Sequence, residues 1–266
     1  MRRLTSRRHH KAARLLLVVV ALLVTGGIYA VVSPSASVAA PTPAETIARG
    51  QELFSVSCAS CHGLNGEGLA SQGAPSLVGV GAAAVDFQMR TGRMPMSRTQ
   101  VQAPPKQNSF TPEEIAAIAL YVASLGDGPA IPSPDQYDPS GLSAEEIAVG
   151  GDLFRTNCSA CHNFKGSGGA LPGGKVAPPL LDAAPVDVHE AMRTGPGQMP
   201  VFADGAIPDK DVKAMIAYLD QVHAEPSAGL TLGGLGPVSE GFWGWLVGIG
   251  GLVLFAMWIT KKAARR

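Results

Sequence analysis

Cys58-Ala-Ser-Cys61-His62 and Cys158-Ser-Ala-Cys161-His162 are two copies of one five-residue motif, and they lie 100 residues apart. Together they use all four cysteines of the 266-residue chain. Two thiols one helical turn apart can reach the two vinyl groups of one porphyrin, and the histidine that follows then lies under the iron. The motifs therefore predict two covalently bound haem c groups. The predicted binding residues are Cys58, Cys61, His62, Cys158, Cys161 and His162.

Two other readings of the cysteine pairs have to be compared with haem. Four cysteines in two pairs could bind one structural zinc ion, but zinc does not explain why a histidine follows each pair. Each pair could instead be a redox dithiol, but that site is expected within a thioredoxin-like βαβ pattern, which the sequence lacks. Haem attachment is the interpretation that accounts for the whole motif.

A low-spin haem iron needs a sixth ligand, and methionine is a common partner of histidine. Met94 lies 32 residues after His62, and Met199 lies 37 residues after His162. Each is followed by a proline, which holds the loop extended and removes a competing donor. The sequence therefore predicts Met94 and Met199 as the sixth ligands, with Met96 as the alternative to Met94.

The remainder of each motif region also recurs, which indicates a tandem domain duplication. Residues 47–54 correspond to 147–154, and each segment contains a glycine and ends in a phenylalanine. Met89-Arg-Thr-Gly92 recurs as Met192-Arg-Thr-Gly195, where both methionines are predicted to pack in the core. We expect Gly50 and Gly150 to let a second helix approach closely. Phe54 and Phe154 should then contact Tyr121 and Tyr218 of the closing helices.

Helix signals dominate both copies. A capping box, Ser143-Ala-Glu-Glu146, starts one helix, and Thr111-Pro-Glu-Glu114 starts another. Apolar stripes at helical spacing follow, at Ile115, Ile118, Val122 and Leu125 and at Val212, Met215, Leu219 and Val222. No alternating strand pattern is present. The fold class predicted is all-α, with two tandem class I cytochrome c domains and a membrane helix at each end.

Charge is distributed unevenly along a chain whose net charge is zero. Six Lys/Arg precede residue 15 and four follow residue 260, whereas residues 41–240 contain the other 11 and all 21 Asp/Glu. This pattern excludes a uniformly basic nucleic-acid binder. Uncharged apolar runs at 15–32 and 242–260 lie beside the basic ends, as expected for membrane spans with the acidic middle outside.

The first run could be a retained span or a cleaved secretory signal, because small residues follow it at 33–40. We therefore expect a multi-pass cell-membrane protein with cytoplasmic termini and outer haem domains, if the first span is retained. The predicted segments are a basic n-region and span or signal (1–40), first domain (44–126), semi-stiff Pro-rich linker (127–142), second domain (143–225), tether (226–241), anchor (242–260) and basic tail (261–266).

No constellation for catalysis on a substrate is visible, so the predicted role is electron transfer by the cofactors. Arg90 and Arg193 could neutralise haem propionates, although solvated surface arginines would show the same pattern. His189 and His223 have no counterparts in the first copy, and we interpret them as ordinary surface or helix residues.

The chain resembles the dihaem cytochrome c subunit of the actinobacterial-type cytochrome bc complex, a menaquinol–cytochrome c reductase. The resemblance rests on the two tandem haem domains, GLNGEG at 63–68, MRTGRMPM at 89–96, APPLL at 177–181 and the final GFWGWLVGIGG at 241–251. One departure is the extra Pro-Gly-Gln at 196–198, which precedes the second methionine.

This resemblance implies that the chain is an electron-transfer subunit of a translocating reductase, with no substrate turnover of its own. Its partners would be a cytochrome b subunit, a Rieske iron–sulfur subunit that reduces the first haem, and the copper-containing subunit of a terminal oxidase that oxidises the second. The alternatives are a cytochrome subunit of a membrane dehydrogenase or cbb-type oxidase, and a dihaem enzyme such as a peroxidase.

Overall fold

The computed structural model describes residues 11–32, 41–224 and 237–264. Contacts divide the chain into two units, residues 1–42 and 43–266, of which the first contains a single described helix, α1 (Lys11–Val32). The last helix of the second unit is α11 (Pro237–Ala263). The basic residues before 11, the small residues at 33–40 and most of the predicted tether lie outside the described residues.

The first haem-motif region folds into four α-helices. They are α2 (Pro43–Ser57), α3 (Ala59–His62), α4 (Gly81–Arg90) and α5 (Pro112–Ala123), with a 3-10 turn at Ala70–Gln72 between α3 and α4. Helix α2 crosses α5, and α4 packs on the other side of α5. The core therefore lies around α5.

Helix α5 begins where the sequence predicts. The Thr111 hydroxyl accepts a hydrogen bond from the backbone N–H of Glu114, and the Glu114 carboxylate accepts one from the N–H of Thr111. This reciprocal pair satisfies two N–H groups that the first turn of the helix leaves without partners. In the predicted stripe Ile115, Ile118 and Val122 are buried, whereas Leu125 is half-buried and follows the end of the helix.

The second haem-motif region repeats this arrangement after a connecting helix, α6 (Pro134–Tyr137). Its elements are α7 (Ala144–Asn157), α8 (Ser159–His162), β1 (Gly169–Leu171), β2 (Lys175–Ala177), α9 (Pro185–Thr194) and α10 (Asp209–Ala224). Ser143 and Glu146 form the predicted capping box of α7. In the stripe of α10, Val212, Met215 and Leu219 are buried and Val222 is half-buried.

A short antiparallel hairpin was not predicted from the sequence. Gly169 pairs with Ala177 and Leu171 pairs with Lys175, and the turn between them uses Gly173 and Gly174 at positive φ. Three-residue strands are too short for an alternating pattern, so periodicity could not reveal them. The hairpin is a local addition to an otherwise helical domain.

The predicted glycine crossings are confirmed in both domains. A Cβ at Gly50 would overlap the backbone carbonyl of Ala117, and a Cβ at Gly150 would overlap that of Ala214. One turn further, the rings of Phe54 and Tyr121 lie with centroids 5.2 Å apart. The corresponding pair of Phe154 and Tyr218 has centroids 5.8 Å apart. Glycine is needed here because the two helix backbones touch.

The Pro-rich connector is not a free spacer. Its Pro129 carbonyl accepts a hydrogen bond from the N–H of Ala83 at 3.1 Å, which attaches it to α4. Gln136 in α6 donates to Asp209 at 2.8 Å, and Tyr137 packs against the second core. The connector therefore contacts both domains, whereas composition alone suggested a semi-stiff spacer that could extend.

Both terminal helices have the character of membrane spans. Ala12–Val32 and Gly241–Ala263 are long and apolar enough to cross a bilayer, and none of either stretch is buried inside the protein. A soluble core helix of this length would be mostly enclosed by its neighbours, so exposure of these apolar surfaces favours a lipid environment.

Candidate haem-binding sites

Each cysteine motif occupies one helical turn. Cys58 caps the start of α3, and its carbonyl accepts hydrogen bonds from the N–H groups of Cys61 at 3.1 Å and His62 at 2.9 Å. Cys58 is half-buried and Cys61 is exposed. The turn thus presents two free thiols and one imidazole along the same short stretch of backbone.

The second motif reproduces this turn. The carbonyl of Cys158 accepts from Cys161 at 3.1 Å and from His162 at 2.9 Å. Cys158 is again half-buried and Cys161 exposed. Two sites of the same local geometry therefore exist, one per domain.

The cysteines do not have the electrostatics of a redox dithiol. Burial, together with a smaller effect of the neighbouring cysteine of each pair, raises the pKa of Cys58 and of Cys158 to about 11. A dithiol that exchanges disulfides needs a lowered thiol pKa. The raised values argue against this alternative.

A single zinc ion shared by the four cysteines is also not supported. Among residues 11–32, 41–224 and 237–264, no three His, Cys, Asp or Glu side chains are grouped closely enough to hold a metal ion. A structural zinc site needs four such ligands converging on one point. The donor set of each domain, two thiols and an imidazole, instead fits covalent haem.

The imidazoles are oriented by backbone carbonyls. Nδ1 of His62 lies 2.9 Å from the carbonyl oxygen of Pro75, and Nδ1 of His162 lies 3.0 Å from that of Pro178. Because a carbonyl can only accept, each Nδ1 carries the proton and the lone pair is left on Nε2. Histidines that bind a metal are commonly fixed in this way. Burial also lowers the pKa of His162, which favours the neutral imidazole.

Pro75 and Pro178 were not singled out by the sequence analysis as functional. Both follow an alanine, and both lie between the haem motif and the Met-Arg-Thr-Gly segment. The recurrence of Ala-Pro at 74–75 and 177–178 was the signal that could have identified them. Their role depends on a backbone carbonyl, which a search by side-chain chemistry does not detect.

The loop after each histidine is held in place by equivalent hydrogen bonds. In the first domain the hydroxyl of Tyr121 donates to the carbonyl of Leu64 at 3.3 Å. In the second domain Tyr218 donates to Phe164 at 3.2 Å. The helix crossing at the centre of each core therefore also fixes the loop beside the predicted iron position.

The methionines separate into two groups. Met89 and Met192 are each 3% exposed, which confirms their predicted core packing. Met94 and Met199 are half-buried and pack against the edge of the first and second core, respectively. Met96 is half-buried but is not part of that packed cluster. This arrangement supports Met94 over Met96, and the two sixth-ligand assignments remain predictions.

The two repeated arginines do not behave alike: the Arg90 side chain is one-third exposed, whereas that of Arg193 is mostly buried. Arg90 forms ion pairs with Asp86 in its own helix and with Asp187 and Glu190 of α9. Arg193 instead pairs with Asp209 at 2.5 Å within the second domain. Both guanidinium groups have protein partners, and the propionate role stays a prediction.

Of the two predicted alternatives for His189, a surface or a helix residue, the structure shows a helix residue, and it is buried. It is 3% exposed, and its Nε2 lies 2.8 Å from the carboxylate of Asp209. His223 is half-buried, and its Nε2 lies 2.8 Å from the carbonyl of Lys165. Each histidine is a structural residue, because its ring nitrogen is engaged by another part of the second domain.

Two helical domains that each carry this turn define a c-type cytochrome with duplicated domains. Comparison with protein-family models gives the same class. Residues 47–126 match the model described as cytochrome c, and residues 145–219 match the model described as cytochrome c oxidase, cbb3-type, subunit III.

Relatives identify the family. The cytochrome bc1 complex cytochrome c subunit of Corynebacterium efficiens is 43% identical over 82% of this chain and 77% of its own length. The subunit of the same name from Mycobacterium tuberculosis is 41% identical over 90% of this chain and 87% of its own. The chain belongs to the family of cytochrome bc1 complex cytochrome c subunits. Its cytochrome c domains imply covalently bound haem c and a role in electron transfer.

A more distant similarity is also present. The cbb3-type cytochrome c oxidase subunit FixP of Bradyrhizobium diazoefficiens is 27% identical over 65% of this chain and 59% of its own length. Lower identity and coverage make this the weaker of the two relationships.

Proposed function

We propose that the chain holds two haem c groups and carries electrons in series through them. The observation that carries the proposal is the equivalent motif turn in both domains, each with its histidine Nδ1 bonded to a proline carbonyl. A bound haem supplies an iron that gains and loses one electron at a time. The proposed haem-binding residues are Cys58, Cys61, His62, Met94, Cys158, Cys161, His162 and Met199.

The protein residues have distinct tasks in this proposal. The two thiols of each motif hold the porphyrin covalently, and the histidine Nε2 binds the iron because Nδ1 is engaged. Met94 and Met199 pack against the first and second core, and their thioethers would supply the remaining ligand of each haem iron. Thioether ligation raises the reduction potential and leaves no open position for a substrate.

Within a respiratory complex, the proposed electron donor to the first domain is the Rieske iron–sulfur subunit, beside a cytochrome b subunit. The proposed acceptor from the second domain is the copper-containing subunit of a terminal oxidase, which makes the chain a component of aerobic respiration and of a translocase. The membership of the chain in the bc1 family supports the complex.

The proposed topology places both haem domains on the outer face of the cell membrane and both termini in the cytoplasm, if α1 is retained. The two apolar helices and the basic residues at the chain ends support it. Sequencing the N-terminus of the mature protein tests the alternative: a start near residue 39 or 41 would show cleavage and leave α11 as the anchor.

Rapid mixing of the isolated complex with quinol tests the serial order. Replacing His162 should leave quinol able to reduce the first haem while blocking electron flow to the oxidase. Replacing His62 should block reduction of both haems. Normal reduction of the second haem in an assembled His62 variant would mean parallel entry and would contradict the proposal.

A cbb-type oxidase subunit is the second candidate, because the second domain matches that family model. Isolation in mild detergent distinguishes the two. Co-purification with cytochrome b and Rieske subunits supports the reductase assignment, whereas recovery with oxidase subunits alone would favour the alternative.

A further inference from the structure

The two haem domains meet through helices that correspond in the duplication. Helices α4 and α9 both carry the repeated Met-Arg-Thr-Gly segment at their C-terminal ends, and they pack against each other. The contact therefore joins equivalent faces of the two domains. Any side chain that bridges these helices helps to set the relative position of the two haem sites.

Arg90 is such a side chain. From the last turn of α4 its guanidinium reaches Asp187 at 2.6 Å and Glu190 at 2.7 Å, both on α9. A third bond, to Asp86 at 2.8 Å, holds the guanidinium on its own helix. One cation thus connects carboxylates of both domains and is fixed in direction by the bond to Asp86.

The burial of Glu190 links the bridge to the docked arrangement of the two domains. The side chain of Glu190 is fully buried, while that of Arg90 is one-third exposed. Burial raises the pKa of Glu190 to about 8, with Asp86 adding to the rise and Arg90 opposing it. Docking buries the carboxyl group of Glu190 and places Arg90 against it, so the docked arrangement without Arg90 would leave that carboxyl buried without its cationic partner.

A second contact, remote from the arginine in sequence, supports the same arrangement. The side-chain amide of Gln102 donates to the carbonyl of Val176 and accepts from its N–H, each at 2.8 Å. Gln102 thereby pairs with strand β2 much as a neighbouring strand would. The first domain therefore contacts the second at two separate places.

The bridge is not a general consequence of the repeated sequence. Arg193 occupies the position equivalent to Arg90, but it binds Asp209 and the carbonyls of Phe202 and Ile207 within its own domain. Asp187 and Glu190 on α9 supply the carboxylates that Arg90 reaches. Their counterparts on α4 are Ala84 and Phe87, which carry no charge, so Arg193 has no matching pair to bridge to.

We infer that Arg90 is a positioning residue for electron transfer between the domains: its bridge to Asp187 and Glu190 keeps the two haem sites at one fixed separation. This inference rests on the proposed serial use of two haems. It assigns Arg90 no contact with haem. It also explains why the connector is ordered, because the docked domains hold its two ends.

The test uses Arg90→Ala and Arg90→Lys, with Arg49→Ala as the matched control, since Arg49 is an exposed arginine of the same domain that pairs with Glu52 at 3.3 Å. Pulsed dipolar EPR on the oxidised, haem-loaded full chain measures the distribution of iron–iron distances. Quinol-driven reduction of the isolated complex measures the two haem phases.

For Arg90→Ala we expect the docked-to-undocked ratio to fall by at least about tenfold, because the docked arrangement would then bury the carboxyl of Glu190 without its cationic partner. The distance distribution should broaden, and the second phase of reduction should slow while the first keeps its rate. Arg90→Lys should recover part of both effects. Arg49→Ala should match the unmodified protein.

A narrow, unchanged distance distribution in Arg90→Ala would overturn the inference. If the distribution broadens but the second phase keeps its rate, Arg90 positions the domains and the serial order is what fails. If Arg90→Ala does not assemble with both haems, Asp187→Asn removes one partner of the bridge without leaving the arginine unpaired. Broadening in that variant supports the inference, and an unchanged distribution contradicts it.

Discussion

The first and second haem domains share a scaffold but use equivalent positions differently. Both are centred on a glycine at a helix crossing and a phenylalanine–tyrosine contact, at Gly50 and Gly150. Yet Arg90 reaches out of its domain, whereas Arg193 stays inside its own. Residues 44–126 contain six acidic and five basic residues, and residues 143–225 contain 11 and six. The two domains therefore share the core and the motif turn, while their surfaces differ in contacts and in charge.

The excess of acidic residues in the second domain has a consequence for its partner. A protein surface of one charge sign attracts the opposite sign over several ångströms, and salt screens the attraction. We therefore expect a basic docking surface on the electron acceptor of the second domain, and a transfer rate that falls as ionic strength rises.

The largest expected difference between variants concerns the sixth ligands. Replacing Met94 with Ala should remove about half of the weak far-red absorption band that Met–Fe(III) bonds give, since one of two such bonds is lost. Met199→Ala should remove the other half, because the domains are equivalent in this respect. The optical spectrum of the oxidised protein is the measurement. Met96→Ala is the control, and loss of the band in that variant would show that Met94 was misassigned.

The next effect concerns the helix crossings. Gly150→Ala should destabilise the second domain by about 1–3 kcal/mol, because the added methyl meets the backbone of Ala214. Gly205→Ala is the control in the same domain, because a Cβ there would meet nothing within 4 Å. Thermal unfolding of the haem-loaded chain compares the two. Equal destabilisation by both variants would contradict the close backbone crossing.

A smaller effect is the pH dependence of stability, which should differ between Glu190 at the domain interface and Asp209 inside the second domain. Glu190 faces Asp86 and Arg90 from α4, and its raised pKa means that the folded protein keeps a proton between about pH 4.5 and 8 that the unfolded chain releases. Stability therefore falls as pH rises through that window. The effect is limited because Arg90 is partly exposed and solvent screens the interaction.

Asp209 should give the opposite dependence. Burial acts to raise its pKa, but hydrogen bonds from Gln136, Arg193 and His189 lower it to about 2. Its contribution is present above its ordinary value of 3.8 and is lost as pH falls towards 2. Unfolding measured across pH should lose its slope between about pH 4.5 and 8 in Glu190→Gln, and its slope below about pH 3.8 in Asp209→Asn. A slope unchanged in either variant would show that another group is responsible.

The smallest expected effect tests whether the helix caps of the two domains contribute equally to stability. Thr111→Ala and Ser143→Ala each remove a capping box, and each should cost about 1 kcal/mol of stability. The two losses should agree because both caps start a helix of the repeated scaffold. Chemical denaturation of the two variants measures them. A loss confined to one domain would show that the two scaffolds are not energetically equivalent.

Local features of this protein could be predicted from sequence because each depends on residues close together in the chain. The capping boxes at Thr111 and Ser143 need a partner three residues away, and their geometry was confirmed. The glycine crossings were predictable for another reason: a glycine and an aromatic residue one turn apart recur in both copies. The duplication thus supplied a second observation of each core feature.

Features that depend on contacts between distant segments could not be predicted. His189 has the sequence context of a surface residue, and only the fold brings Asp209 to its ring. Arg90 and Arg193 lie in identical tetrapeptides, so nothing local distinguishes a bridging arginine from an internal one. The carbonyls of Pro75 and Pro178 carry no side-chain signal at all. The domain boundaries and the methionine ligands remain predictions.

The central claim is that the two motif turns are equivalent and that both carry haem. Intact-protein mass spectrometry of the mature chain, together with a pyridine haemochrome assay, tests this claim most directly. We predict a mass increase of two haems per chain and thioether-type haemochrome spectra, with one haem lost in Cys158→Ala/Cys161→Ala and the other in Cys58→Ala/Cys61→Ala. A single haem per chain, or bound zinc with no haem, would contradict the account.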